Sequence, residues 1–171
     1  MKYTPKDILI EREKRVEMIQ EIIEKFNKTL IFIRVNYPGI QKENELTKDI
    51  IKAMDKLLSR LFEDVLILKL LTITAEGPTI TMAIDKDPLE IKRICIEIEE
   101  NHPLGRCVDI DVYRPDTMES IGREEMGIKP RKCFLCEEIA QACVRCKRHD
   151  IKEVIRYIER CYIEFEGYIN G

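Results

Sequence analysis

The run Cys107-Val108-Asp109-Ile110-Asp111-Val112 alternates β-branched apolar residues with a thiol and two carboxylates, the period-two signature of a half-buried strand. Successive side chains of a strand leave opposite faces, so Asp109 and Asp111 share one. Two carboxylates that close repel each other unless a cation or a shared proton intervenes, and the pattern therefore asks for a divalent metal such as Mg²⁺, bound through oxygen. Magnesium held by paired acids points to phosphate chemistry. An alternating strand whose polar face meets water also yields Asp-x-Asp with no ligand at all, and that reading stands beside the metal one. Immediately upstream, Gly105 offers a close backbone approach, and Arg106 offers a guanidinium fork suited to phosphate.

A chain of 171 residues suits one domain with a real core, expected over 1–171. A net charge of −3 with 36% charged residues gives no basic nucleic-acid footprint, so no nucleic-acid partner is expected. No stretch approaches the ~20 apolar residues of a membrane span, and the start of the chain lacks a signal-peptide core. A cytoplasmic location, away from membranes, is the expectation. The seven cysteines are an odd number. In reducing surroundings they would remain thiols or bind metal rather than form a disulfide framework.

Apolar spacing of three and four predicts an amphipathic helix over about Lys6–Lys28, through Val16, Ile19, Ile22, Ile23 and Phe26. Leu30 to Val35 reads as a buried strand, ended by Asn36-Tyr37-Pro38-Gly39. Helical spacing returns over about Glu45–Phe62. Strands over Val65–Thr74 and Thr79–Ile84 flank a Gly-Pro turn, and Asp87-Pro88 caps a third helix before the acidic strand. A short strand around Met118 to Ile121 is expected to pair back on the acidic strand. Helices over about Cys133–Arg148 and Asp150–Tyr168 complete an α+β fold with a mixed or antiparallel sheet, flanking helices and a helical C-terminus.

Cys133, Cys136, Cys143 and Cys146 form two CxxC pairs, and His149 follows, a spacing familiar from zinc sites. The intervening Glu137-Glu138-Ile139-Ala140-Gln141-Ala142 favours helix, however, and an unbroken helix would hold Cys136 and Cys143 about 10.5 Å apart. Sulfurs bound to one zinc at about 2.3 Å cannot be that far apart, so zinc on Cys133, Cys136, Cys143 and His149 is the disfavoured alternative. The favoured reading packs Cys136, Ala140 and Cys143 as small apolar residues and sets Arg145 and His149 on a common flank, able to face a phosphate-rich ligand.

Taken together, His102-Pro103-Leu104-Gly105-Arg106, Asp109-Ile110-Asp111-Val112, Pro130-Arg131-Lys132-Cys133-Phe134-Leu135-Cys136, Ala140, Cys143, Arg145 and His149 resemble the CitX family. These are the apo-citrate lyase phosphoribosyl-dephospho-CoA transferases, or citrate lyase holo-acyl-carrier-protein synthases. Asn36-Tyr37-Pro38-Gly39, Lys42, Glu76-Gly77-Pro78 and Lys92 extend the resemblance along nearly the whole chain. Cys107 stands where the family usually carries a bulkier apolar residue, and Cys146 is additional.

The resemblance implies attack by a serine of the citrate lyase acyl carrier protein on the α-phosphate of 2'-(5''-triphosphoribosyl)-3'-dephospho-CoA, with pyrophosphate leaving. The similar malonate decarboxylase counterpart carries an Asp-x-Asp pair in a nucleotidyltransferase-like setting, so Asp109 and Asp111 are expected to be catalytic and to hold Mg²⁺. No Gly-Ser pair of the common nucleotidyltransferase signature precedes them. Gly105, Arg106, Arg123, Arg131, Arg145, His149 and Lys92 are the expected substrate-binding residues, with Lys42 a further candidate; each basic one would otherwise be a solvated surface charge. The alternative function is a non-catalytic, zinc-stabilised adaptor that binds a carrier protein.

Overall fold

Helix α1 (Pro5–Phe26) starts where Thr4 and Asp7 cap each other reciprocally, with Pro5 at the first helical position. It stops at Asn27, whose left-handed backbone (φ 49°) turns the chain into β1 (Thr29–Val35). A second reciprocal cap, Asn44 with Thr47, opens α2 (Glu45–Leu61). Strands β2 (Leu66–Thr74) and β3 (Gly77–Ile84) form a hairpin whose turn residues are Ala75 and Glu76. Asp87 accepts the Leu89 and Glu90 amides at the start of α3 (Pro88–Asn101), and β4 (Val108–Tyr113) carries the two acids. Helices α4 (Ala140–Arg145) and α5 (Ile151–Asn170) close the fold. The computed structural model describes residues 3–170, and Met1, Lys2 and Gly171 lie outside the described residues.

All the strands pair antiparallel in one sheet, in the order β2-β3-β1-β4. One face presents Ile31, Ile33, Ile80, Met82, Ile110 and Val112 to α2, α3 and α5, where Ile50, Met54, Leu58, Ile91 and Ile158 are fully buried. The other face presents Leu30, Phe32 and Ala83 to Ile19, Ile22 and Ile23 of α1. Strand β1 is thus covered on both faces. Each fully buried Ile or Leu contributes about 1.5–3 kcal/mol, so a one-residue slip of β1, which would turn Arg34 into the α2–α3 core, is excluded.

Three departures from the sequence reading have local causes. The stretch around Met118 to Ile121 pairs back on β4 as expected, but only through a Tyr113–Ser120 bridge and an Ile121 amide donating to Val112, too little for a strand. The second strand of the hairpin begins at Gly77 rather than Thr79, because Pro78 pairs with Ile73 inside the ladder. Third, Cys133–Arg148 is not one helix. Lys132 bridges to Ile139, the Ala140 amide donates to Arg131, and only Ala140–Arg145 is helical. No helix among the described residues is long and apolar enough to cross a membrane.

Two glycines are fixed by close approach. Gly77 (φ +88°) lies against the backbone of Lys42, where a Cβ would come within 2.7 Å of the Lys42 carbonyl oxygen. Gly105 lies under the end of α3, where a Cβ would overlap the Ile98 carbonyl and sit 2.7 Å from that of Glu99. Gly105→Ala is therefore expected to cost roughly 1–3 kcal/mol in urea unfolding. Gly122→Ala, whose Cβ would meet only a Glu125 carboxylate oxygen at 3.7 Å, is expected to stay within about 0.5 kcal/mol of the parent. Equal costs for the two would contradict the packing assigned to Gly105.

Candidate active site

Val108, Ile110 and Val112 enter the α2–α3 core, and the alternation of β4 sends Asp109, Asp111 and Tyr113 to the face under α1. Antiparallel pairing then places Arg34 opposite Asp109 and Phe32 opposite Asp111. The Arg34 Nε lies 3.6 Å from Asp109 Oδ2, while Asp109 Oδ1 accepts a 3.1 Å hydrogen bond from Arg131. Asp111 has neither an ion pair nor a hydrogen bond among the described residues. Burial pushes its carboxyl up from the ordinary range; Arg34 opposes the rise and Asp109 adds to it.

Above this face, Arg12 and Arg15 project from α1. Arg15 donates to both Glu76 carboxylate oxygens at 2.8 Å, and its guanidinium sits 5.1 Å from the Phe32 ring centroid. Arg12 and Arg34 approach the same carboxylate at 3.5 and 3.7 Å. Glu76 alone meets three guanidiniums, and Arg34 is shared between it and Asp109. Lys42 is close enough to feel Arg34 and Arg12. Burial first, then these two like charges, hold its ammonium below the usual lysine range, and it donates to the Tyr37 carbonyl at 2.7 Å.

The remaining predicted binding residues lie in other places. Lys92, Arg123 and Arg131 gather at the outer edge of β4 around Glu99. The Glu99 carboxylate accepts the Ile110 amide at 3.0 Å and Arg123 at 2.6 Å, and Lys92 donates to the Ile110 carbonyl at 3.3 Å. Arg131 links this edge to the acids, donating to the carbonyls of Val108 and Gly105 at 3.0 Å as well as to Asp109. Arg106 donates to the Lys132 carbonyl, Arg145 is exposed, and the His149 ring lies 3.3 Å from Cys133 Sγ. A separate open concavity of about 480 Å³, lined by Tyr3, Glu11, Lys14 and Ile73 among others, contains none of the acidic pair or its cations.

Arg12, Arg15, Arg34 and Glu76 complete the cluster, although the sequence reading does not single them out for it. Their signal is positional. Arg12 and Arg15 continue the Ile8, Ile19, Ile22 stripe at helical spacing, and Arg34 is the one charged residue of the largely buried β1.

Because burial raises the Asp111 pKa, folding binds its proton more tightly than the unfolded chain does. The associated stability is present below the unfolded carboxyl value of about 3.9 and is lost as pH rises through the raised value. Asp111→Asn is therefore expected to raise Tm at pH 7, with the gain shrinking as pH falls toward 4 in parallel melts. A lowered Tm at pH 7 would contradict this.

A model of the family described as apo-citrate lyase phosphoribosyl-dephospho-CoA transferase matches residues 4–165. The chain is 29% identical over 157 residues to proteins of that name from Escherichia coli and Shigella boydii, covering 90% of this chain and 85% of each relative. It is also 29% identical over 162 residues to Protein CitXG of Leuconostoc mesenteroides subsp. cremoris, covering 93% of this chain and 35% of that longer protein. With nearly its whole length matched, the chain belongs to the CitX family of transferases.

Proposed function

We propose that this protein transfers the phosphoribosyl-dephospho-CoA group from 2'-(5''-triphosphoribosyl)-3'-dephospho-CoA to a serine of the apo citrate lyase acyl carrier protein, releasing pyrophosphate. The observation that carries this reading is Asp111. It is a carboxylate at the α1–sheet interface with no ion pair or hydrogen bond among the described residues, beside Asp109 and near the guanidiniums of Arg34 and Arg15. A carboxylate pair beside a cluster of guanidiniums suits a polyphosphate and its metal better than it suits a solvated strand face.

The donor set fits magnesium. Asp109 and Asp111 offer carboxylate oxygens on one face, and each Asp109 oxygen meets only one guanidinium and keeps lone-pair capacity. A bound Mg²⁺ would supply charge neutralisation on the phosphates at the reacting centre. The chain's own residues do the rest by position. Arg12, Arg15 and Arg34 present planar donors able to take phosphate oxygens in pairs. Arg131, held by two backbone carbonyls, fixes the orientation of Asp109. Phosphoryl transfer asks mainly for such positioning and electrostatic stabilisation. The reaction belongs in the cytoplasm, where cysteines persist as thiols or metal ligands. An adaptor without chemistry would leave the acids and their cations with no role.

Intact-mass measurement of apo carrier protein incubated with this protein, the triphosphate donor and Mg²⁺ is expected to show one added prosthetic group and released pyrophosphate. Asp109→Ala and Asp111→Ala, folded by circular dichroism, are expected to lose at least about 100-fold of this activity. Full activity in either variant would remove the acids from the mechanism. Arg15→Met is expected to weaken donor use, and unchanged kcat/KM for the donor would remove Arg15 from the binding set.

A further inference from the structure

We infer that Cys133, Cys136, Cys143 and His149 form a closed, four-coordinate structural zinc site that holds Arg131 against Asp109. One ligand atom from each of these residues falls within 4.8 Å of all the others. Cys136 Sγ lies 3.5 Å from Cys143 Sγ, and Cys133 Sγ lies 3.3 Å from His149 Nε2. Zinc–sulfur bonds of about 2.3 Å at tetrahedral angles put sulfurs about 3.8 Å apart, so the observed spacing already approximates the coordination sphere.

The local backbone is arranged for thiolates. The Leu135 amide donates to Cys133 Sγ at 3.4 Å, and the Glu138 amide donates to Cys136. In each half of the turn the donor lies two residues beyond the sulfur, and a bond to sulfur favours its charged form. The turn is closed by the Cys133 amide donating to the Glu138 carbonyl at 2.6 Å and by the Lys132–Ile139 bridge. Helix α4 then brings Cys143 back, and a left-handed residue at Lys147 (φ 48°) redirects the chain so that His149 faces Cys133.

Three thiolates and a neutral imidazole around Zn²⁺ carry one net negative charge. Arg148, hydrogen-bonded to Cys143 and 3.4 Å from Glu138, lies where it offsets that charge. Cys146 is outside the sphere, its sulfur turned to the Cys143 carbonyl at 3.8 Å. All four positions come from the protein, leaving none for a substrate, which is the pattern of structural rather than catalytic zinc.

The site also has something to hold. Only Lys132 separates Cys133 from Arg131, whose guanidinium contacts Val108, Gly105 and Asp109. Phe134, within the first CxxC, stacks on Tyr157 of α5 with ring centroids 4.4 Å apart. The turn thereby ties the C-terminal helix and the edge of β4 together.

Metal analysis of protein purified under reducing conditions is expected to find one zinc per chain, and replacement by Co²⁺ should give the intense visible bands of a tetrahedral thiolate site. Cys136→Ser and Cys143→Ser should each lower the zinc content sharply, while Cys146→Ser should retain it. On removal of zinc by chelator, amide exchange should rise across residues 131–149 of the otherwise folded wild-type protein, a readout that needs no variant and no substrate. The inference is overturned if wild-type protein binds no more zinc than a Cys133→Ser/Cys136→Ser double variant, or if Co²⁺ gives no thiolate bands. Equal zinc loss in Cys146→Ser, or a Cys136–Cys143 disulfide in freshly purified protein, would also overturn it.

Discussion

The antiparallel register of β1 with β4 sets Arg34 opposite Asp109, and the rest of the candidate site is assembled around that pair. That register is enforced on the other side of the sheet. Ile31, Ile33, Ile110 and Val112 fill the core beneath α2, α3 and α5, so the polar residues between them have only the α1 side left. Polar placement is thus a by-product of apolar packing, and the acids are held rigidly because their neighbours in sequence are core residues. A site built on strands in this way is more exactly positioned than one built on a loop.

Helix α1 divides its work along its length. Its C-terminal half packs Ile19, Ile22 and Ile23 onto Leu30, Phe32 and Ala83, while its N-terminal half carries Arg12 and Arg15 over the Arg34 end of β1. The hairpin turn between β2 and β3 brings Glu76 beneath them, and the backbone contact of Gly77 with Lys42 draws in the segment after β1. Three distant stretches of sequence, α1, β1 with the segment after it, and the hairpin turn, therefore meet in one charged cluster. Glu76 prevents three like charges from repelling one another apart, and Arg34 is shared between it and Asp109.

Strand β4 is an edge strand, and exposed edges invite pairing with other chains. Here the edge is closed by side chains: Glu99 and Lys92 take the Ile110 amide and carbonyl, and Arg131 takes the Val108 carbonyl. Arg123 and Arg131, which by residue type alone read as phosphate ligands, are in this structure counter-ions of Glu99. Arg131 differs from the other two cations of this edge in also touching Asp109, which makes it the bridge between the closed edge and the acidic pair.

The sequence by itself determined most of the elements and the shared face of Asp109 and Asp111, because periodicities of two and 3.6 and the Asp87-Pro88 cap are local properties. It also carried the family resemblance, because that rests on linear motifs. Only the tertiary structure decided which cations face the acids, since Arg12, Arg15, Arg34 and Glu76 come from α1, β1 and the hairpin turn and converge through packing. It also decided the cysteine group. Glu137 to Ala142 favours helix locally, but the backbone bonds of Arg131, Cys133 and Glu138 and the amide–sulfur bonds of the turn override that preference. With the helix confined to Ala140–Arg145, Cys136 and Cys143 stand 3.5 Å apart, where a continuous helix would have separated them beyond any common ligand.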